Sequence, residues 1–205
     1  MKDQTMEAIK IGEQFWAANN LDITHFTNGD ELFHATNDLE WKKASENELP
    51  AWCYYANDAE YGNKYGKLYN WYAVNDRRGI APEGFRIPTD DDFKQLNNLL
   101  GKEVGQLLKA KEGWQPYGLG NGIDQFGFNA KPGGANHFNY ANNPRGAELL
   151  YSKDAEEKSW FWTSSNADES SNLWAYGYCL SCWDADLHRF TCNRHLGFSI
   201  RCIKQ

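Results

Sequence analysis

Ser159-Trp160-Phe161-Trp162-Thr163-Ser164-Ser165 and Gly197-Phe198-Ser199-Ile200-Arg201-Cys202 decide how this chain folds. Both read as core strands, short runs rich in the aromatic and β-branched residues that suit a pleated surface. Between them, Trp174 to Leu196 carries aromatics, small residues, three cysteines, two histidines and scattered charges with no tidy period. Two regular frames around an irregular insert describe a scaffold that presents a surface.

A chain of 205 residues supports one full hydrophobic core or at most two small ones. Its charged fraction of 24% and hydrophobic fraction of 41% are those of a soluble globular protein. Aromatic residues stand out at 15%, with nine Trp and eleven Tyr. Such rings suit binding surfaces, because one end is apolar and the other hydrogen-bonds. They also fill the cores of loop-rich folds, which is their more ordinary use. The formal net charge of −7 and the lack of a basic run exclude nonspecific nucleic-acid binding. No apolar run is long enough to span a bilayer, so direct membrane insertion is not expected. Met1 to Glu7 has no apolar segment of the secretory type. Either the protein is not exported by that route or the sequence begins after a removed leader. Five cysteines are an odd number, which leaves at least one thiol free or paired between chains.

Along the chain, Ala8 to Trp16 reads as an opening strand, with Ile9 and Ile11 on one face and Gly12 near a turn. Asn28-Gly29 marks a turn. Asn37, with Glu40 three residues on, predicts a capping box that opens a helix through about Ser45, stopped by Pro50. Ala51 to Tyr55 reads as an aromatic strand, with a turn at Asn57-Asp58. Gly66 to Val74 is a strand or a buried helical turn, which periodicity does not separate. Pro82 to Pro88 is a constrained extended segment. Thr89 caps the clearest helix, with Asp90, Asp91 and Asp92 in its first turn complementing the helix dipole. A metal site is the second reading of those carboxylates. Phe93, Leu96, Leu99 and Leu100 give this helix one apolar stripe, ended by Gly101. A second short helix spans Val104 to Lys111. From Trp114 to Gly146, through Asn142-Asn143-Pro144, the chain is rich in Gly, Asn and Pro. A stretch of this kind is either functional or hides an element, and Phe126-Gly127-Phe128 fits a hidden strand. Its glycines lack the preceding strand and the GxGxxG spacing of a nucleotide cradle. No repeat and no linker divides the chain, so residues 1–205 form a single domain.

Five ordered landmarks carry a family resemblance. They are Gly66-Lys67-Leu68-Tyr69-Asn70-Trp71-Tyr72-Ala73-Val74, Ala81-Pro82-Glu83-Gly84-Phe85-Arg86-Ile87-Pro88-Thr89-Asp90, Phe128-Asn129-Ala130-Lys131-Pro132-Gly133-Gly134, Phe161-Trp162-Thr163-Ser164-Ser165 and Gly197-Phe198-Ser199-Ile200-Arg201-Cys202. Together with Ile11-Gly12-Glu13-Gln14-Phe15-Trp16 and Asn19-Asn20-Leu21, they resemble the Fibrobacter succinogenes major paralogous domain over nearly the whole chain. The resemblance implies an α+β, C-type-lectin-like fold in which the chain ends form neighbouring strands. Two helices flank the sheet, and a long loop region carries ligand contacts. It also implies kinship with formylglycine-generating-enzyme domains and with the variable proteins of diversity-generating retroelements. That kinship points to a bacterium of the gut type or its phage, and to a cell-surface, extracellular or virion location.

The insert departs most from the family pattern, which is rich there in Asn, Tyr and Ser. The pattern survives at Ala175-Tyr176, Leu180-Ser181 and Arg189. It is broken at Gly177, Cys179, Cys182, Trp183, Asp184, Asp186, Leu187, His188, Phe190, Thr191, Cys192, His195 and Leu196. In retroelement targets, substitutions fall at adenine-containing codons. Most of these residues are reachable from such codons, especially those for Asn, although Trp183 is not reachable from an Asn codon. The expected ligand-binding set is therefore Trp174, Tyr176, Tyr178, Cys179, Cys182, Trp183, Asp184, Asp186, His188, Phe190, Cys192, His195 and Leu196, with Leu173, Ala175 and Leu180 facing inward. The three cysteines read as sampled side chains.

Other chemistries stand beside a plain structural reading of the same residues. If Cys182 to His188 is a strand, alternation puts Cys182, Asp184, Asp186 and His188 on one face, where they suit a divalent metal. Cys179-Leu180-Ser181-Cys182 has CxxC spacing but no second pair and no redox context. The lectin-type calcium signature is absent. Cys192 lies near His188 and His195 in sequence, which a cysteine nucleophile requires only in space. Cys179, Cys182 or Cys192 could mimic the copper-binding thiols of formylglycine-generating enzymes, but the flanking residues do not match. Cys53 and Cys202 read as buried thiols, or as a disulfide in an oxidising compartment. The reading that follows is a non-catalytic module with no metal and no cofactor, binding a protein or glycan through the insert. A formylglycine-generating-enzyme-like or metal-dependent enzyme is the runner-up, and a surface structural paralogue is the third reading.

Overall fold

The computed structural model describes residues 6–137 and 154–205, so Asn142-Asn143-Pro144 lies outside the described residues. The architecture is α+β, with several small sheets and short helices. In chain order it runs β1 (Ala8–Ile11), β2 (Gln14–Ala17), β3 (Phe33–His34), α1 (Asp38–Glu46), β4 (Ala51–Cys53), α2 (Ala59–Tyr65), β5 (Leu68–Tyr69) and α3 (Trp71–Val74). It continues through β6 (Phe85–Arg86), α4 (Asp90–Leu100), α5 (Val104–Leu108), β7 (Lys158–Asn166), β8 (Trp174–Ser181), β9 (Leu187–Asn193) and β10 (Ile203–Lys204). The sheets have the orders β1-β2-β10-β6, β3-β4-β5 and β7-β8-β9. The first brings the chain ends together, since Ile203 pairs with Trp16 on one side and Arg86 on the other.

β7 sits between two cores. Side chains alternate across a strand, so Trp160 and Trp162 enter one hydrophobic cluster while Phe161 enters another. Trp162 packs on Phe198 at 4.2 Å between centroids. On the other face, Phe161 meets Phe128 edge-on at 5.9 Å, and Phe93 stacks on Tyr178 at 4.5 Å. Buried indoles need acceptors. Trp162 Nε1 donates to the Tyr69 carbonyl at 2.8 Å, and Trp71 Nε1 donates to the Thr163 carbonyl at 2.9 Å. A third, smaller cluster gathers Trp41, Ala44, Ala51, Cys53 and Leu68 under α1.

Several local expectations change in the structure. Ala8 to Trp16 is a hairpin, not one strand, because the chain reverses at Gly12-Glu13. Residues 197–202 are extended but touch a different partner at each step: Asn136 at Gly197, Tyr69 at Phe198 and Phe161 at Ser199. Gly66 to Val74 resolves into both options, β5 followed by α3. Ala51 to Tyr55 is strand only to Cys53, and α2, capped by Asp58, was not legible. Asn37 caps α1 by accepting from the Glu40 N–H at 3.0 Å, but Glu40 returns to Thr36 rather than Asn37. Phe126-Gly127-Phe128 is not a strand, since Asn129 takes φ of 49° and its N–H closes back on Asp124. Leu99 and Leu173 are exposed rather than buried. Five α-helices occur among the described residues, where the resemblance implied two.

The acidic start of α4 is more than dipole compensation. Asp90 is 5% exposed and receives Arg189 Nε and Nη2 at 2.6 and 2.9 Å, Tyr178 Oη at 2.9 Å and Lys94 Nζ at 2.7 Å. Asp92 completes a capping box with Thr89 and takes Arg86 through both oxygens at 2.6 and 2.7 Å. Burial alone would raise both carboxyls. Hydrogen bonds from Arg189, Lys94 and Tyr178 at Asp90, and from Arg86 and Thr89 at Asp92, overcome it and hold them below their ordinary value.

All five cysteines are free and buried. Cys53 and Cys202 belong to different clusters, so no disulfide joins them. Burial pushes the thiols of Cys53, Cys192 and Cys202 up to about 12.

Two outcomes follow from these contacts. A thiol reagent at neutral pH should leave the native protein unlabelled and modify all five cysteines once it unfolds; rapid labelling of native protein would contradict the burial. The stabilisation at Asp90 and Asp92 is complete above the unfolded carboxyl value of 3.8 and is lost as pH falls through the lower folded values. Asp90→Asn should cost about 2 kcal/mol at pH 7. It should also flatten the acid limb of the urea midpoint, and equal acid limbs would refute the assignment.

Candidate functional site

β8 and β9 form a regular antiparallel hairpin, with Cys179 opposite His188 and Gly177 opposite Phe190. The insert is therefore ordered where its sequence looked erratic. Its irregular composition arises because both faces of β8 are largely buried, one against each core. The hairpin turn, residues 182–186, is neither strand nor helix, so the single strand expected from Cys182 to His188 is not present.

Contacts from Lys109, Gly105 and the segment 118–120 fix that turn. The buried Lys109 sends Nζ to the Ser181 carbonyl at 3.0 Å and the Asp184 carbonyl at 3.2 Å; burial lowers its proton affinity. Gly105 donates to the Ala185 carbonyl at 2.6 Å, and a Cβ there would strike that oxygen. Gly118, at φ of 54°, presses on the Trp183 backbone, where a Cβ would lie 2.5 Å from its oxygen. Leu119 and Gly120 both donate to the Cys182 carbonyl at 2.9 Å. The glycine-rich segment is thus a clamp on the hairpin end.

The clamp leaves two rings stacked in solvent. Tyr117 and Trp183 lie 5.2 Å apart between centroids and 11° from parallel, at 48% and 54% exposure. Leu119 and Ile123 of the same segment are also exposed. Tyr117, Leu119 and Lys109 were not among the expected site residues. The only sequence signal for them was the long irregular stretch itself.

The expected ligand set divides. Trp174, Trp183, Asp186 and Phe190 are exposed, and Tyr176, Asp184 and His188 are partly so. Tyr178, Cys179, Cys182 and Cys192 are buried and cannot meet a ligand. Strand alternation turns Cys179 and Cys192 into the first core, and Cys182 enters the second. The CxxC pair is therefore split between cores. Leu196 packs against the first core, and His195 is half-buried near Tyr72, its backbone carbonyl receiving Trp41 Nε1 at 2.9 Å. Reading these cysteines and Tyr178 as surface side chains is thus corrected by their burial. Ala175 and Leu180 do face inward.

Of the four residues expected on one metal-binding face, three converge without Cys182. The side-chain ligand atoms of Asp184, Asp186 and His188 all lie within 4.8 Å of one another. His188 Nε2 is 3.0 Å from both oxygens of Asp184. Two carboxylates and an imidazole are a donor set suited to a divalent ion. His188 is engaged with Asp184, while Cys192 faces Gly177 and Phe198 inside the core, so this thiol and this imidazole do not form a nucleophile and base. No helix among the described residues is long and apolar enough to cross a membrane.

Compared with known proteins, the chain matches the Fibrobacter succinogenes major domain over residues 9–204. No curated protein and no solved structure matches it. With the match running from β1 to β10, this protein belongs to the Fibrobacter succinogenes major domain family.

Proposed function

We propose that this protein is a non-catalytic recognition module that binds a protein or glycan ligand through the end of its β8–β9 hairpin. The Tyr117–Trp183 stack carries this reading. Large rings held rigid and half in water add little to the fold, yet they are pre-organised for contact, and such aromatics are where binding energy concentrates. Exposed Leu119 and Ile123 extend the apolar character. Asp184, Asp186 and His188 supply a polar rim.

A C-type-lectin-like fold is part of the same proposal, supported by the pairing of the last strand, β10, with β2 of the opening hairpin and by a long irregular segment packed on a hairpin. A variable protein of the retroelement type is its sharpest form, at a bacterial surface or on a virion. Burial limits which positions such variation can use. Trp174, Tyr176, Trp183, Asp184, Asp186, His188 and Phe190 reach solvent, whereas Tyr178, Cys179, Cys182 and Cys192 do not. A metal-dependent role is the second reading, favoured by the Asp184, Asp186 and His188 cluster. A structural paralogue would bind nothing at this surface.

A glycan and surface-protein screen should yield a ligand whose affinity drops tenfold or more in Trp183→Ala and in Tyr117→Ala. Both side chains are exposed, so unfolding midpoints should move by less than about 0.5 kcal/mol. A ligand held equally well by both variants would overturn the assignment. Chelator should leave its affinity unchanged. Binding lost with chelator, and a stoichiometric divalent ion lost in His188→Ala, would transfer the site to the metal-dependent reading.

A further inference from the structure

The end of the β8–β9 hairpin brings together a trio of metal-ligating side chains, the only such convergence among the described residues. Asp184 and Asp186 come from the turn and His188 from the start of β9. One ligand atom from each lies within 4.8 Å of the other two. All three reach solvent. The side chains of Asp184 and His188 are 40% and 39% exposed, and Asp186 is exposed. The backbone that carries them is already fixed. Lys109 Nζ holds the Asp184 carbonyl at 3.2 Å, the Gly105 N–H holds the Ala185 carbonyl at 2.6 Å, and His188 sits opposite Cys179 in the ladder.

The contacts within the trio leave a place for a cation. His188 Nε2 is 3.0 Å from both oxygens of Asp184, so one N–H is shared between two acceptors. Asp184 Oδ1 also accepts from the Asp186 N–H at 3.0 Å. The Asp186 carboxylate has no ion pair among the described residues. Lys109, the buried cation beside the turn, is spent on carbonyls rather than on these carboxylates. Two negative groups therefore face one shared proton, and a divalent ion in its place answers both. Donors held at about 2.1 Å around a tetrahedral ion stand about 3.4 Å apart. Asp184 and His188 are already near that separation, so only the exposed Asp186 side chain has to close in.

We propose that Asp184, Asp186 and His188 form a site for a first-row transition ion of the zinc class, which clips the hairpin turn to β9. Each aspartate gives one carboxylate oxygen and His188 gives Nε2, with water in the fourth position. Imidazole suits zinc rather than calcium or magnesium, and three side chains fall short of the roughly six to eight oxygens that calcium takes. Cys182, although near in sequence, is turned into the second core and is not a ligand. The ion belongs to the scaffold and is not a contact for whatever the neighbouring rings bind, so the site holds whether or not those rings serve recognition.

Calorimetry and thermal melting of the metal-free protein with zinc chloride test this, with calcium and magnesium as controls. Zinc should bind at one ion per chain and raise the melting temperature, while each control binds at least tenfold more weakly. His188→Ala and Asp186→Asn change side chains that reach solvent, so both should fold as the parent does and bind zinc at least tenfold more weakly. His25→Ala, at an exposed histidine outside the trio, should bind zinc as the parent does. Cobalt(II) in place of zinc should give a spectrum without thiolate charge-transfer bands, because all five thiols are buried. Trp183→Ala should leave zinc affinity unchanged. Chelator should lower the melting temperature while leaving any binding that depends on Trp183 intact, which separates this site from the ring surface. No saturable zinc binding, equal binding of calcium or magnesium, or parent affinity in either His188→Ala or Asp186→Asn would overturn the proposal. Thiolate bands with cobalt, or loss of Trp183-dependent binding with chelator, would do so as well.

Discussion

β7 has to bury side chains on both of its faces, and most of the molecule is arranged to let it. Trp160 and Trp162 demand one core and Phe161 another. Each fully buried ring of this size is worth several kcal/mol, with losses of about 3–5 kcal/mol on truncation to Ala. The indole N–H groups then add direction to what is otherwise non-directional burial. Trp162 needs the Tyr69 carbonyl, Trp160 needs Asp154 Oδ2 and Trp71 needs the Thr163 carbonyl. These bonds hold β5, α3 and the segment around Asp154 against the strand. β8 pairs along β7, and β9 along β8, so the hairpin inherits a fixed base.

Strands of two to four residues leave many carbonyls without a ladder partner, and this fold meets that need with buried side-chain donors. Arg201 serves three carbonyls from two distant segments, Lys109 serves two in the hairpin turn, and Trp41 and Ser45 share the His195 carbonyl. Charges are buried here because they reach farther than backbone groups can. Asp90 and Asp92 do the same with the opposite sign, tying the start of α4 to β9 and to β6. Arg201 differs in that every acceptor it meets is neutral, with no carboxylate paired to it among the described residues.

Legibility followed physical range. α4 was plain because its cap, its acidic turn and the burial of Phe93 and Leu96 are all local. β7 was plain because a long aromatic strand is dense in signal, whereas residues 197–202 read as a strand but are extended with isolated bridges. α2 was not, since Gly62 and Asn63 are poor helix formers and its cap, Asp58, reads equally as a turn. The roles of Asp90 and Arg189 depend on groups about a hundred residues apart, which no window of sequence brings together. The candidate surface was marked out in the sequence as a region, while the exposure of each residue in it was not. Composition pointed to Trp174 to Leu196, yet only register tells that Cys192 lies inward and Thr191 outward. Tyr117 entered the site through a contact of the Gly118 backbone with Trp183, which sequence does not encode locally.

That division bears on how the hairpin can serve recognition. A strand buried on one face offers alternate positions for change, but β8 is buried on nearly every residue from Ala175 to Ser181. Substitution there disturbs a core, whatever the ligand. β9 is the edge strand, and its middle residues Arg189, Phe190 and Thr191 are exposed, with Arg189 tied back to Asp90. The turn is exposed at Trp183 and Asp186 and is held mainly through its backbone, at the carbonyls of Cys182, Asp184 and Ala185. Contacts made through backbone do not depend on which side chain the position carries. The turn and the outer edge of β9 are therefore where side chains can change while the scaffold stays fixed, and the irregular composition elsewhere in the insert records two cores meeting at one hairpin.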